Sequence, residues 1–350
     1  MELDSFLSHY FNRPCAPKRV RPLKGDASSR RYFRIEMGDS FAPRYLIAMV
    51  LPEDPLESDE AVSGAPPTRL PFVDLAMHLA ALGIRVPEVY LDATDDRVLL
   101  IEDLGDTLLL DCVSGKDEAT VGAWYEAAVN LLARMHRVMW PVPSSSIASK
   151  RSFDFDLLRW ELDHYREWGL EAVFGALSPE VRKELDAAFD ELAEEIAALP
   201  KGFVHRDYQS RNLMVLDPTP ADRSLAVIDF QDGFEGPRIY DLVALLNDSY
   251  VDLSIDLKHR VIETYAGARG LDVATLKREF SLVTVQRKLK DGGRFVFIDR
   301  VRNNPGYLRF VEPSFQRARE SLFSLQGQER LKKALAAADP NRFGEPSTSG

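Results

Sequence analysis

The hydrophobic periodicity of the chain changes near residue 103, and this change restricts the folds open to it. Before that point, short runs rich in β-branched and aromatic residues alternate with Gly, Asp and Pro, which is typical of strands. Beyond it, apolar residues recur at helical spacing, most clearly over 119–139. We therefore predict an α+β fold of two lobes: a small antiparallel β lobe over 1–102, a larger helical lobe over 103–340 and a flexible tail over 341–350.

The predicted elements follow from the same pattern. In the first lobe we expect short strands at 19–23, 31–37, 45–51, 88–91 and 97–102, a helix over 69–82 and an exposed acidic, Pro-rich loop over 52–68. In the second lobe we expect helices over 119–139, 153–169 and 179–199, and two short strands over 212–216 and 225–230. The second lobe is thus helical with one strand pair embedded in it.

Composition excludes several classes of protein. The net charge of −11 over 350 residues disfavours a general nucleic-acid binder, which needs a basic surface. The longest apolar runs fall short of the roughly 20 residues of a membrane helix, and the acidic start lacks the pattern of a signal peptide. Two cysteines cannot form a disulfide framework. We expect a cytoplasmic monomer that binds neither nucleic acid nor membrane.

The most informative segment is FVHRDYQSRNLMVL at 203–216. It contains His205 and Asp207 in an HxD arrangement, with Asn212 five residues after the aspartate. A second carboxylate, Asp229, ends the apolar strand LAVIDF, 22 residues after Asp207. Phosphoryl transfer requires one carboxylate to accept the proton of the attacking hydroxyl and further oxygen ligands to hold magnesium on the nucleotide phosphates. Asp207, Asn212 and Asp229 would supply these groups.

In this respect the chain resembles the superfamily of aminoglycoside phosphotransferases and choline kinases, over roughly residues 20–310. That resemblance implies a protein-kinase-like two-lobed fold and the use of ATP and Mg²⁺. It implies Asp207 as catalytic base, and Asn212 and Asp229 as metal ligands. It also implies that backbone groups of Glu102 and Leu104, in IEDLG, pair with the adenine edge, and that Asp241 in GPRIYDL braces the catalytic loop. We assign His205 an orienting role.

The predicted nucleotide loop departs from the protein-kinase pattern. The segment RPLKGDASSRRYFRIE has a single glycine, but the small residues Ala27, Ser28 and Ser29 would let backbone N–H groups approach phosphate. Met49 stands where protein kinases place a lysine on the third strand. Either the protein binds nucleotide without transferring phosphate, or another cation replaces the lysine. We favour the second interpretation, with Arg30, Arg31 and the catalytic-loop residue Arg211 as candidates.

The acceptor is expected to be a small molecule. Only 11 residues separate Asp229 from Asp241, too few for the activation segment on which protein kinases dock peptides. The motifs DASSRRYFR, IEDLGDTLLLD, HRDYQSRNLMV and VIDFQDGFEGPRIYDLVALLND, together with Met49, resemble those of the bacterial N-acetylmuramate/N-acetylglucosamine anomeric kinases. This implies an amino sugar phosphorylated at its C1 hydroxyl. The alternatives are another hexose, an aminoglycoside or an amino alcohol as acceptor.

A basic stretch over 286–310 bears on the acceptor. It carries seven Lys or Arg and two Asp, a local charge of +5 in an acidic chain, which suits a neutral or anionic sugar better than a polycationic aminoglycoside. The simpler interpretation is a solvated basic helix. Substrate contacts, in addition to Asp207, are predicted for Arg294 and for Tyr208, whose ring could stack on a sugar; Arg287 and Lys288 are further residues to test.

Overall fold

The computed structural model describes residues 3–23, 30–53, 67 and 69–344. Most of the predicted loop over 52–68 and the predicted tail beyond residue 344 lie outside these residues. The strands are β1 (Arg19–Pro22), β2 (Arg31–Glu36), β3 (Tyr45–Val50), β4 (Val89–Ala93), β5 (Val98–Glu102), β6 (Lys201–Val204), β7 (Leu213–Val215), β8 (Leu225–Val227) and β9 (Phe234–Pro237). The helices are α1 (Leu3–Tyr10), α2 (Pro71–Ala81), α3 (Leu109–Val113), α4 (Glu118–Val138), α5 (Phe155–Tyr165), α6 (Ala172–Phe174), α7 (Pro179–Ala197), α8 (Tyr240–Leu246), α9 (Ile255–Arg269), α10 (Val273–Arg302), α11 (Val311–Ser324), α12 (Glu329–Ala338) and α13 (Pro340–Phe343).

The predicted α+β fold is confirmed, with an antiparallel sheet in the first part of the chain and mainly helices in the rest. The sheet has the order β1-β2-β3-β5-β4. The sequence of its central strand β3, YLIAMV, is apolar, and accordingly Leu46, Ile47, Ala48 and Met49 are all buried. The helix α1, which the sequence pattern did not reveal, packs Leu7 against the sheet core. This sheet fixes the position of the residues that leave β5 at Glu102.

The chain divides into two compact units. The first contains the residues up to Arg151 together with His205–Asp207 and Arg211–Phe234, and the second contains the remainder, including Tyr208–Ser210. The five-stranded sheet and the β7–β8 pair therefore belong to the first unit. The lobe boundary that the sequence placed between residues 102 and 103 stays a prediction.

Helix boundaries agree with the capping signals in the sequence. The helix α7 begins as predicted, because the Ser178 hydroxyl accepts a hydrogen bond from the Val181 amide at 3.3 Å and Pro179 occupies the first turn. The helix α5 ends earlier than predicted, and Arg166–Glu171 continue it as a π-helical segment. None of the helices in the described ranges combines the length and the apolar character needed to cross a bilayer.

The interpretation of 286–310 as a solvated basic helix is wrong for the first part of that stretch, whereas Arg300, Arg302 and Arg309 are exposed. Arg287 and Lys288 lie on α10 and are 1% and 0% exposed. The Lys288 ammonium donates to Asp291 at 2.9 Å, and the Arg287 guanidinium lies 4.8 Å from the ring centroid of Tyr240. Burial lowers the pKa of Lys288, and the Asp291 carboxylate opposes that shift. The Lys288–Asp291 pair is local, three residues apart on α10, whereas the contact of Arg287 with Tyr240 and the burial of both basic side chains depend on the packed fold.

Candidate active site

The strand pair β7–β8 carries the candidate site. Its two runs, LMV and LAV, are almost entirely buried, and Leu213 pairs with Val227. The pair is anchored at both strands, because the amide of Val227 donates to the Arg85 carbonyl and the amide of Val215 to the Thr107 carbonyl, both at 2.8 Å. The segments before β7 and after β8 therefore begin from fixed backbone positions.

His205 ties these two segments together. Its Nε2 lies 3.0 Å from the carbonyl oxygen of Ile228, and its Nδ1 accepts a hydrogen bond from the Asp207 amide at 3.3 Å. The amide of Ile228 in turn donates to the carbonyl of Asn212 at 3.0 Å. These partners require a neutral imidazole protonated on Nε2. The ring is fully buried, so the geometry favours the orienting role over proton transfer.

Asn212 brings together the three predicted groups of the site. Its Nδ2 donates to the main-chain carbonyl of Asp207 at 2.8 Å and to Oδ2 of Asp229 at 3.3 Å. The side-chain oxygen of Asn212 remains an acceptor in this orientation. The spacing read from the sequence thus corresponds to one compact cluster in which the amide lies beside both aspartates.

Asp229 has a backbone conformation that few residues tolerate. Its φ is +64°, in the left-handed region where Asp and Asn are the most acceptable residues after Gly. Its Oδ1 accepts a hydrogen bond from Gln231 Nε2 at 2.8 Å. The buried Arg151 donates to the Gln231 carbonyl at 2.9 Å, and Phe230 stacks on Phe72 of α2 at 5.0 Å. The carboxylate is therefore oriented by contacts on both of its oxygens.

The oxygens of this cluster fit a magnesium ion. Carboxylate and amide oxygens are the ligands that Mg²⁺ prefers, usually one or two from protein with phosphate and water completing the shell. Asp229 and Asn212 offer one carboxylate and one amide oxygen from adjacent positions. Within the ranges that the structure describes, no group of three or more His, Cys, Asp or Glu forms an all-protein metal site. Two protein oxygens would leave most of the magnesium shell to phosphate and water.

The predicted phosphate-side residues are only partly described. Ala27, Ser28 and Ser29 lie outside the described residues. Arg30 follows them and is half-buried, and Arg31 begins β2 with an exposed side chain. Arg211 is half-buried in the catalytic loop, directly before Asn212. All three arginines remain candidates for the cation that replaces the strand lysine.

Met49 and α2 agree with a site that has no strand lysine. Met49 is fully buried on β3, in register with Tyr32 and Leu99. The one acid of α2, Asp74, accepts hydrogen bonds from the Ser146 hydroxyl at 3.0 Å and the Ile147 amide at 2.8 Å. This carboxylate holds the segment after α4 and is engaged there, so it does not serve as the acidic partner of a lysine.

The loop that leaves β5 is held by a buried arginine that sequence reasoning missed. Arg34, on β2, is 6% exposed and donates to Asp103 Oδ1 at 2.7 Å, to both oxygens of Asp106 at 2.7 Å and to the carbonyl of Gly105 at 2.9 Å. Burial lowers the pKa of the Arg34 guanidinium, but its bonds to Asp103 and Asp106 outweigh that effect and raise the pKa. The arginine fixes the segment in which Leu104 lies.

Replacing Arg34 with Met is expected to destabilise the protein by about 3–5 kcal/mol, because Asp103, whose side chain is 9% exposed, would be left as a buried charge without its cation. Denaturant unfolding measures the loss. The matched control is Asp106→Asn, at a side chain that is 75% exposed, with an expected loss below about 1 kcal/mol. Equal losses in the two variants would contradict the role given to Arg34.

Glu102 is the other residue of the predicted adenine contact. Its amide donates to the Glu88 carbonyl at 2.9 Å, and its carboxylate forms a bidentate pair with Arg85, one of whose bonds is 2.7 Å long. Because its amide and its carboxylate are both engaged, Glu102 would have to pair with an adenine edge through its carbonyl. The assignment of Glu102 and Leu104 stays a prediction.

The predicted sugar contacts lie in different environments. Tyr208 is fully buried, so its ring would have to become accessible before a sugar could stack on it. Arg294 is half-buried on α10, with its guanidinium 5.0 Å from the ring centroid of Phe297. Packing is the simpler role for Tyr208, whereas Arg294 keeps an exposed part.

Comparison with known proteins identifies the family. Residues 19–276 match the model of the phosphotransferase enzyme family, which is well over half of the chain. The chain belongs to the phosphotransferase enzyme family. This phosphotransferase is 31% identical to the N-acetylmuramate/N-acetylglucosamine kinase of Pseudomonas aeruginosa, over 86% of the chain and 82% of that protein. It is 30% identical to the kinase of the same name from Pseudomonas putida, over 83% of the chain and 79% of that protein.

Known structures confirm the kinase-like fold of this phosphotransferase. An ADP-bound aminoglycoside phosphotransferase superposes with a TM-score of 0.56 at 14% identity, covering 91% of this chain and 99% of the other. The ethanolamine kinase of Plasmodium vivax superposes with a TM-score of 0.57 at 13% identity, covering 86% and 82%. These structures confirm the fold inferred from the sequence motifs, and the match over residues 19–276 confirms the family.

Proposed function

We propose that this phosphotransferase is an ATP-dependent sugar kinase that phosphorylates the C1 hydroxyl of N-acetylmuramate or N-acetylglucosamine. The observation that carries the proposal is the cluster of Asp207, Asn212 and Asp229, whose members are joined through the side chain of Asn212. The relatives that are about 30% identical to this chain, over more than four fifths of its length, are named for these two sugars. The cluster supports the reaction class, and the relatives support the acceptor.

The proposed reaction assigns the proton to Asp207. Its carboxylate accepts the proton of the acceptor hydroxyl as that oxygen attacks the γ-phosphorus in line. The bond between the γ-phosphorus and the bridging oxygen breaks, and its electron pair stays with ADP. The proton then passes from Asp207 to solvent. His205 holds the Asp207 amide throughout, so the carboxylate starts each cycle from one backbone geometry.

The remaining groups bind and orient the nucleotide in this proposal. Asn212 and Asp229 would hold Mg²⁺, which supplies neutralisation of phosphate charge when bound. The backbone of Ala27–Ser29 and one or more of Arg30, Arg31 and Arg211 would oppose the remaining negative charge. The carbonyl of Glu102 and the amide of Leu104 would pair with adenine, with Arg34 keeping their loop in place.

The test is ADP release with Mg-ATP against a panel of acceptors. The panel contains N-acetylmuramate, N-acetylglucosamine, glucosamine, glucose, galactose, choline and kanamycin. Methyl N-acetylglucosaminide is the matched control acceptor, because its C1 oxygen carries a methyl group and every other hydroxyl is retained. We expect turnover with the two N-acetyl sugars, none with the methyl glycoside, and a phosphorus resonance from an anomeric phosphate.

Other results would change specific parts of the proposal. Turnover with the methyl glycoside would contradict C1 as the acceptor position. Turnover only with kanamycin or choline would retain the phosphotransferase and overturn the sugar. Binding of ATP without turnover on any acceptor would favour the nucleotide-binding alternative that Met49 raises.

A further inference from the structure

Ser210 lies in the catalytic loop, three residues after Asp207 and two before Asn212, and is completely buried. Its amide donates to Oδ2 of Asp248 at 3.0 Å, and its hydroxyl donates to the same oxygen. The other oxygen of Asp248, Oδ1, accepts a hydrogen bond from the Tyr250 amide at 3.0 Å. Asp248 is 1% exposed. One buried carboxylate, 38 residues away in sequence, therefore holds the middle of the loop.

We propose that Asp248 is a positioning residue for phosphoryl transfer, acting on the catalytic loop through Ser210. Only four residues lie between Asp207 and Asn212. A displacement of Ser210 is therefore expected to move Asp207, Asn212 or both. A misplacement of about 1 Å can cost about 10²-fold in rate when reacting groups must be aligned. Asp248 is not a catalytic residue, because its carboxylate is engaged by Ser210 and Tyr250.

The donors around Asp248 require a carboxylate. Both of its oxygens accept from main-chain N–H groups, Oδ2 from Ser210 and Oδ1 from Tyr250. An asparagine has one oxygen and one NH₂ group, so in either orientation it would point N–H at N–H. One buried donor would be left unsatisfied, and this is costly in the protein interior. Asp248→Asn is nearly isosteric, and it still removes one of the two main-chain hydrogen bonds that the carboxylate accepts.

Asp248 itself is held by two helices of the second unit. Arg317 of α11 donates from Nη1 to the Asp248 carbonyl at 3.0 Å. On α10, Lys288 lies 3.4 Å from the Ser249 hydroxyl and 2.9 Å from Asp291. The segment around Asp248 is thus attached to rigid elements, as a supporting residue requires. These contacts also explain why Lys288 is buried, although the charge pattern of the sequence suggested a solvated side chain.

The test compares Asp248→Asn with Asp252→Asn. Asp252 is a matched control, because it carries the same charge four residues later, is 94% exposed and pairs with Arg317. Asp248→Asn is expected to lower kcat by about 10–100-fold and to leave the KM for ATP within about twofold. Asp252→Asn is expected to leave both unchanged. Ser210→Ala keeps the hydrogen bond from the main-chain amide of residue 210 to Asp248, so its loss of kcat is expected to be smaller than that of Asp248→Asn. In the double variant it is expected to cause no further loss of kcat.

Hydrogen exchange of the loop amides tests the same contact without an acceptor. In Asp248→Asn the Ser210 amide is expected to exchange at least about tenfold faster, and in Asp252→Asn at the wild-type rate. This measurement keeps the inference distinct from the proposed function on which its kinetic part rests. Unchanged exchange in folded Asp248→Asn overturns the positioning role, whatever the acceptor. Faster exchange with wild-type kcat also overturns it, since the loop would then move without consequence for catalysis.

Discussion

Asp207→Asn is expected to lower kcat by about 10²–10⁴-fold, because an amide cannot accept the proton of the attacking hydroxyl. The substitution keeps the main-chain bonds of residue 207, in which its amide donates to His205 and its carbonyl accepts from Asn212. The loop should therefore keep its shape, and the affinity for ADP should stay within about twofold. Steady-state kinetics with the active sugar and calorimetric titration of ADP measure the two quantities.

Asp217→Asn is the control for this variant. Asp217 is exposed ten residues further along and accepts a hydrogen bond only locally, from the Thr219 amide at 2.8 Å. Its replacement should leave kcat unchanged. An Asp207→Asn enzyme that retained more than about a tenth of the wild-type kcat would show that another group takes the proton.

Asp229→Asn is expected to lower kcat on the order of 10²–10³-fold and to raise the magnesium concentration needed for half-maximal activity. The charge is lost, and one of the two donors that face the carboxylate, Gln231 Nε2 or Asn212 Nδ2, must now face an NH₂ group. Asparagine tolerates the φ of +64° at this position, so the backbone is expected to fold normally. A substitution by Ala would add backbone strain and confuse the two effects.

Gln231→Ala separates orientation from ligation at the same site. It removes the hydrogen bond to Asp229 Oδ1 but keeps the carboxylate, so we expect an intermediate loss of about 10–100-fold in magnesium affinity. Magnesium titrations of activity and of ADP binding give the comparison. An Asp229→Asn enzyme with wild-type magnesium dependence would remove Asp229 from the metal site.

The sheet and the cluster of Asp207, Asn212 and Asp229 could be predicted from local sequence patterns, because short stretches of sequence determine both. The strands β1, β2 and β3 lie within one residue of their predicted limits, since each is a short run that contains β-branched or aromatic residues and is bounded by turn residues. The loop over 205–212 was recognisable from residues at most seven positions apart. Asp229 was recognisable because it ends an apolar strand.

The contacts that hold these groups could not be predicted in the same way. Arg34 and Asp103 are 69 residues apart, and Ser210 and Asp248 are 38 apart, with no periodic signal linking either pair. Gln231 could have been noticed, because it occupies the place of the glycine in the DFG motif, but its bond to Asp229 depends on the turn that follows β8. Long-range side-chain pairing is a property of the packed chain.

The turn after β8 has a thermodynamic consequence for control of the enzyme. In protein kinases the packing of the DFG phenylalanine separates active from inactive states. Here Phe230 is stacked on Phe72, Gln231 is bonded to Asp229, and Arg151 is bonded to the Gln231 carbonyl. Breaking these contacts together would cost on the order of 3 kcal/mol. A state in which Phe230 has left Phe72 would then hold less than about 1% of the molecules. If the turn keeps this one arrangement, the rate of phosphoryl transfer would depend on the concentrations of nucleotide and acceptor and not on a conformational switch in the turn.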